Sequence, residues 1–216
     1  MADTHLALAN RALGRLGAQP ITSLDTSADT SKEALVISRS MESARRTALE
    51  GHRWNFAETD RLLSPFMCAP VYRFNCSYLL PSDYIKVHET SLDEVEPYRV
   101  VNHVCSHNNT CNLVLVTNSA CSPVITYTSD ITDINRWSPK FTEALEIQLA
   151  ADSAIALGKA VGVADLLQKQ ADSKWRTAKS KDGQEGRPKR SWLSNSLLYA
   201  RHSGGGGRRP DQVNTD

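Results

Sequence analysis

The sequence predicts an α+β protein, mainly an α-helical bundle of about four helices with a small antiparallel β-domain inserted between helices 2 and 3. Two observations predict this class. Apolar residues recur at helical spacing before residue 50 and again after residue 138, whereas short β-favouring runs separated by turn residues lie between. Residues 1–182 are therefore expected to form one domain, followed by an extended C-terminal arm over residues 183–216.

The first two helices are predicted at residues 4–17 and 30–50. In the first helix, apolar residues share one face: Leu6, Ala9, Leu13 and Leu16. Ser31 is a candidate N-cap for the second helix, and Gly51 is a candidate stop. The outer face of the second helix is expected to be a solvated charged surface or an interface, and it carries Arg39, Glu42, Arg45 and Arg46.

The β-region is predicted over residues 72–130. Four short runs favour strands: residues 84–87, 98–101, 113–116 and 124–128. The pair Asn108-Asn109 lies between two of these runs and predicts a hairpin turn, because asparagine tolerates a positive φ. The pattern therefore predicts one antiparallel sheet of about four short strands.

Two further helices are predicted at residues 138–158 and 163–182. Ser138 is a candidate N-cap, and Pro139 suits the first helical position because its missing N–H would be unpaired there anyway. Gly158 separates the two helices, and Gly183 is expected to end the second one.

Large aromatic residues stand at the junctions between the predicted segments. They are Trp54, Phe56, Trp137, Phe141 and Trp175. Trp and Phe side chains bury large areas, so this placement predicts a structural core that locks the helices onto the sheet. These aromatic residues carry no catalytic chemistry, which favours a structural protein.

The composition is that of an ordinary folded chain without a charge bias. Charged residues make up 23% of the sequence and the net charge is +1, which does not indicate a dedicated nucleic-acid binder. The sequence has neither a signal-peptide pattern after Met1 nor an apolar run of the roughly 18 residues that a membrane helix needs. We therefore expect a chain that is made and folded in the cytosol, with its five cysteines as free thiols.

The best candidate for a metal site is the segment 103–111. It contains four residues of the types that bind metals: His103, Cys105, His107 and Cys111. With a turn at Asn108-Asn109, Cys111 lies opposite Ser106 and faces away from the other three. Structural zinc needs four converging ligands, so we expect a polar hairpin without a metal.

Signatures of catalysis and of cofactor binding are missing from the sequence. It contains no GxSxG or SxxK motif, no P-loop, and no GxGxxG after a strand. His52 stands beside Trp54 without an evident partner and is expected to be structural. We therefore predict no catalytic residue, no cofactor and no enzymatic activity.

The C-terminal arm contains an isolated apolar set. Its members are Trp192, Leu193, Leu197, Leu198 and Tyr199. A run of glycines, Gly204–Gly207, follows and is typical of a flexible linker. One interpretation is a last helix packed on its own domain. The other is a peptide that docks in a partner's groove, with Trp and Tyr as anchors.

Seven short motifs, taken in order, resemble one family. They are Ala12–Gly17, Ile21–Asp25, Arg45–Leu49, His52–Ala57, Tyr78–Tyr84, Trp137–Phe141 and Ala178–Gly186. Their order and spacing resemble the head-to-tail adaptors of short-tailed bacteriophages, called tail tubular protein A in one branch. The resemblance covers roughly residues 6–186. The Cys/His-rich hairpin and the long tail after Gly186 depart from the family pattern.

The resemblance implies a structural virion protein in the neck or tail, made in the host cytoplasm. It implies a ring of about twelve copies that sits under the portal protein and contacts the distal nozzle or fibre proteins of the tail. Such a ring extends the DNA channel and retains packaged DNA, which passes through without sequence-specific binding. It also implies that the C-terminal arm reaches the portal, with no membrane involved.

Two other classes of function stay open at this point. A virion-associated enzyme that degrades the cell wall would need a carboxylate pair or a Ser/His site in a cleft. A helical DNA-binding domain would need Lys and Arg side chains clustered on one face.

Overall fold

A computed structural model describes residues 4–66, 73–92, 96–104 and 111–185. Within these residues the protein is α+β, with four helices and two antiparallel sheets. Two helices precede the strands along the chain and two follow them. Of the predicted C-terminal arm, residues 186–216 lie outside the described residues. No helix in the described part is long and apolar enough to cross a membrane.

The four helices begin where the sequence offers a cap or a turn. They are α1 (His5–Arg15), α2 (Lys32–Glu50), α3 (Pro139–Ala154) and α4 (Val161–Glu185). The hydroxyl of Ser31 accepts a hydrogen bond from the Ala34 N–H at 3.3 Å, and that of Ser138 accepts one from the Phe141 N–H at 3.2 Å. Each cap therefore satisfies a backbone donor that has no partner within its helix. The other three helices all pack against α3, most of which is buried.

The strands form two sheets. They are β1 (Glu58–Leu62), β2 (Ser64–Pro65), β3 (Cys76–Leu79), β4 (Tyr84–Thr90), β5 (Tyr98–Val104), β6 (Cys111–Thr117) and β7 (Val124–Ser129). One sheet has the order β1-β7-β4, and the other has the order β2-β3-β6-β5. A small apolar core between them includes Leu63, Tyr78, Leu115 and Tyr127.

The β-region differs from its prediction in extent and in number of sheets. It begins at Glu58 rather than at residue 72, and its described strands form two sheets rather than one. The strand β1 reads Glu-Thr-Asp-Arg-Leu and has no apolar alternation, because among the described strands it lies at a sheet edge and pairs only with β7. Its strand conformation depends on this distant pairing, which a local pattern does not report.

Both C-terminal helices end at other residues than predicted. The helix α3 stops at Ala154 instead of residue 158, and the chain then turns through Gly158 at a φ of +77°. The helix α4 continues through Gly183 to Glu185, although Gly183 was expected to end it at residue 182. A single glycine costs only about 1 kcal/mol within a helix, which tertiary contacts of the last turn can offset.

Arg45 corrects the prediction of a solvated outer face on α2. Its side chain is buried, and its guanidinium forms an ion pair with Asp130, just after β7. The same guanidinium donates a hydrogen bond to the Ile131 carbonyl oxygen at 3.1 Å. A buried arginine needs such partners because an unpaired buried charge is costly. The pair fixes α2 against the end of the β-region.

Candidate docking site at the end of the last helix

The predicted docking residues are not among those that the structure describes. Trp192, Leu193, Leu197, Leu198 and Tyr199 all lie after Glu185, the last described residue. The described part of the chain defines the position from which the arm starts. We therefore consider how the last turns of α4 are held, and which surfaces lie beside them.

Asp182 holds the end of α4 on the core. Its side chain is only 5% exposed. One carboxylate oxygen accepts a hydrogen bond from the Asn55 backbone N–H at 3.1 Å, and the other lies 3.1 Å from His52 Nε2. The side-chain amide of Asn55 donates a second hydrogen bond, at 2.6 Å, to the backbone carbonyl oxygen of Asp182. We call His52, Asn55 and Asp182 the Asp182 anchor.

The electrostatics of the anchor reflect its burial. Burial raises the pKa of the Asp182 carboxyl, while the hydrogen bond from Asn55 and the neighbouring His52 lower it. The raised pKa means that ionising this carboxyl costs more in the folded chain than in the unfolded chain. The His52 ring packs edge-on against Trp54, with the ring centroids 4.7 Å apart. His52 therefore contacts both the buried carboxylate of Asp182 and the aromatic core.

The five aromatic residues that were predicted to form a core lie together in the helical region. Trp54, Trp137 and Phe141 are buried, and Phe56 and Trp175 are partly buried against the same core. Phe141 is the centre of the cluster, because its ring lies 5.0–5.5 Å from the other four rings. The Trp54 indole N–H donates to the Ala48 carbonyl oxygen at 2.9 Å, which ties the cluster to the end of α2.

A groove of about 700 Å³ lies between α2 and α4, with α3 beneath it. Its lining includes Arg39 from α2, Asp152 from α3, and Trp175 and Lys179 from α4. Gln148 donates to the Asp152 carboxylate at 2.9 Å, and burial raises the pKa of that carboxyl. Among the described residues that line the groove, Asp152 is the one carboxylate. The groove therefore lacks the acid pair that glycoside hydrolysis commonly uses.

The candidate metal hairpin is described only in part. Cys111 pairs with Val104 in the β5–β6 ladder and not with Ser106, so the register differs by two residues from that of the predicted hairpin. His103 lies opposite Asn112 and therefore faces the other side of the sheet from Cys111. Cys105 and His107 lie outside the described residues. In the described part no three His, Cys, Asp or Glu side chains are placed to bind a metal, and the absence of zinc stays a prediction.

Two features of the site have no counterpart in the sequence-based predictions. The partner of His52 is Asp182, which is 130 residues away in the chain and gives no local signal. Arg45 is different, because it stands on the four-residue repeat of Ile37, Met41 and Leu49, all of them buried. That spacing indicates a buried position for Arg45.

No family model matches this chain, and no curated protein matches it.

Proposed function

We propose that this protein is a head-to-tail connector of a short-tailed bacteriophage, a structural protein of the virion neck. In this proposal the helical bundle with its inserted β-domain is the body of the adaptor, and about twelve copies form a ring. The ring extends the DNA channel below the portal protein, retains packaged DNA and receives the distal tail proteins. The order of the seven motifs in the sequence supports this assignment.

The observation that carries the proposal is the fixed start of the C-terminal arm. The Asp182 anchor holds α4 on the core almost to its last turn, so the arm leaves each copy from a defined position. Seven residues beyond Glu185 comes Trp192, the first of the apolar set. An arm with a rigid base and aromatic anchors suits docking in a groove of another protein. In a ring, several such arms act together and multiply a weak contact.

The charges of the described residues favour a structural role over DNA binding. Several basic side chains are paired with carboxylates of the same chain. These pairs are Arg11 and Arg15 with Glu146, Arg45 with Asp130, Arg53 with Glu58 and Glu89, and Lys140 and Lys174 with Glu143. Basic residues that are neutralised within the chain have less charge to offer to phosphates. The pairs of Glu146 join α1 to α3, the pair of Lys174 joins α4 to α3, and the pair of Arg45 joins α2 to Asp130 just after β7.

Deletion of residues 187–216 tests the role of the arm. Gly186 and Pro188 interrupt the helical pattern after Glu185, so the shortened chain should keep its thermal stability and lose its binding to the cognate portal protein. Deletion of residues 208–216 is the matched control, because it keeps the apolar set and should leave binding unchanged. Binding is measured by sedimentation of mixtures, and folding by circular dichroism.

A double substitution separates contact from length. Trp192→Ala with Leu197→Ala should weaken portal binding by roughly 3 kcal/mol or more if both are anchor residues. Full affinity of the chain without residues 187–216 would show that the arm is not the docking element. A shortened chain that fails to fold would favour the other interpretation, in which the apolar set packs on its own domain. Electron microscopy of the portal mixture should show a ring, and a monomer with no affinity for the portal would contradict the proposed class.

A further inference from the structure

The groove between α2 and α4 contains an apolar strip that is only partly covered. The groove has a volume of about 700 Å³. Ala44 and Ala48 of α2 and Trp175 of α4 line it, and each of them is only partly buried against the helical core. The rest of the described lining is mostly hydroxyl and amide side chains, and its charged members are Arg39, Asp152 and Lys179. A concave surface of this composition suits a segment that is partly apolar and partly polar.

The groove lies close to the point from which the C-terminal arm starts. Lys179 donates a hydrogen bond to the Gly51 carbonyl oxygen at 3.2 Å, so the last turns of α2 and α4 lie side by side at one end of the groove. The helix α4 continues for six residues beyond Lys179, or about 9 Å, to Glu185. Trp192 follows seven residues later, and a chain of that length spans about 23 Å when extended. Trp192 can therefore turn back as far as Trp175, which lies about 15 Å before Glu185 along the helix.

The sequence of the arm matches the groove in its mixture of apolar and polar groups. Residues 191–200 read Ser-Trp-Leu-Ser-Asn-Ser-Leu-Leu-Tyr-Ala and contain no charged side chain. The basic residues nearest to this stretch, Arg190 and Arg201, lie on either side of it in the sequence. A segment without charges can cover the apolar strip of the groove at no cost of burying a charge of its own. Its serine and asparagine side chains can pair with the hydroxyl and amide groups of the lining.

We propose that in the free chain the apolar set of the arm occupies the groove between α2 and α4 of the same copy. A short linker gives an effective concentration of about 1 mM, so a Kd of about 0.25 mM for the separate segment fills the groove about four-fifths of the time. Such a weak contact opens before the domain unfolds and leaves the thermal midpoint nearly unchanged. A partner that binds the arm more tightly then takes it from the groove. In the connector this partner is the portal protein, and this release step alone rests on the proposed function.

Alkylation of a cysteine placed in the groove measures whether the groove is covered. Ser43 is exposed and lines the groove. In the full chain, Ser43→Cys should react with a maleimide about fivefold more slowly than it does when Trp192→Ala and Leu197→Ala are also present. The matched control is Glu42→Cys, which is exposed on α2 outside the groove lining and should react at the same rate in both chains. Tryptic cleavage places positions 42 and 43 in one peptide, residues 40–45, so mass spectrometry separates their reaction from that of the native cysteines.

A separate peptide gives a second measurement. The peptide of residues 187–201, added at about 1 mM to the chain with Trp192→Ala and Leu197→Ala, should restore the slow reaction of Ser43→Cys. Equal rates with and without the two anchor side chains would overturn the inference. Protection that grows with protein concentration would also overturn it, because a second copy would then cover the groove.

Portal protein separates this inference from the proposed function. Excess portal should restore the fast reaction of Ser43→Cys in the full chain, because the arm leaves the groove. A chain that binds portal although its groove is never protected would refute the inference and leave the connector standing. A protected groove in a chain without affinity for portal would support the inference and refute the connector.

Discussion

Replacing Trp54 by alanine removes a ring that makes four aromatic contacts in the helical core. The side chain is fully buried, and its ring centroid lies 4.7 Å from His52, 5.0 Å from Phe141 and 5.8 Å from Phe56. A buried tryptophan replaced by alanine typically costs about 3–5 kcal/mol through lost transfer energy and the cavity that remains. The Ala48 carbonyl oxygen also loses the indole donor, which adds about 1 kcal/mol. We therefore expect a total loss of about 4–6 kcal/mol.

Urea unfolding followed by circular dichroism measures this loss without depending on tryptophan fluorescence. The variant Trp54→Phe is the matched control, because it keeps a ring in the cluster and loses only the indole N–H and part of the volume. It should cost about 1–2 kcal/mol. Since whole domains are stable by only about 5–15 kcal/mol, Trp54→Ala should be close to unfolding at room temperature. A free energy of unfolding for Trp54→Ala within about 1 kcal/mol of wild type, or equal losses in the two variants, would refute the role of this ring.

Three further predictions concern single residues. Burial raises the pKa of Asp182 above 3.8, so wild type should lose stability relative to Asp182→Asn as the pH rises through about 4. Urea unfolding between about pH 3 and pH 6 measures this trend, which should be absent if the carboxyl is solvated. Arg45→Met should lower the free energy of unfolding in urea by about 2–4 kcal/mol, because it leaves Asp130 without its main partner. The double substitution Arg45→Met with Asp130→Asn should recover part of that loss. Gly158→Ala should lower the free energy of unfolding by about 1–2 kcal/mol, because φ is +77° there, even though space for a Cβ exists. An unchanged midpoint in thermal unfolding would argue against this backbone conformation.

The sequence located the helices well because their ends carry local signals. Ser31 and Ser138 cap α2 and α3 as predicted. The hydroxyl of each serine accepts a hydrogen bond from the backbone N–H of the residue three positions later. The ends near glycine were less accurate, since Gly183 continues a helix that Asp182 holds on the core. A glycine signals where a helix can end, but tertiary contacts decide whether it does.

The strands and the polar contacts were harder to predict for a shared physical reason. The polar strand β1 exists because it pairs with β7, some sixty residues later in the chain. Asp182 is buried because Asn55 and His52 meet it, and both are far away in sequence. Such partners are brought together by the fold as a whole, so no window of neighbouring residues contains the information.

The central position of α3 has a consequence for synthesis on the ribosome. The apolar faces of α1 and α2, which include Leu8, Leu13 and Ile37, are covered largely by a helix that begins only at Pro139. At roughly 5–20 residues per second, the stretch from Glu50 to Pro139 takes on the order of 4–18 s to translate. During that interval the nascent chain presents two helices whose main packing partner does not yet exist. Chaperones that bind apolar segments therefore have their best opportunity on the first fifty or so residues, before the rest of the chain emerges.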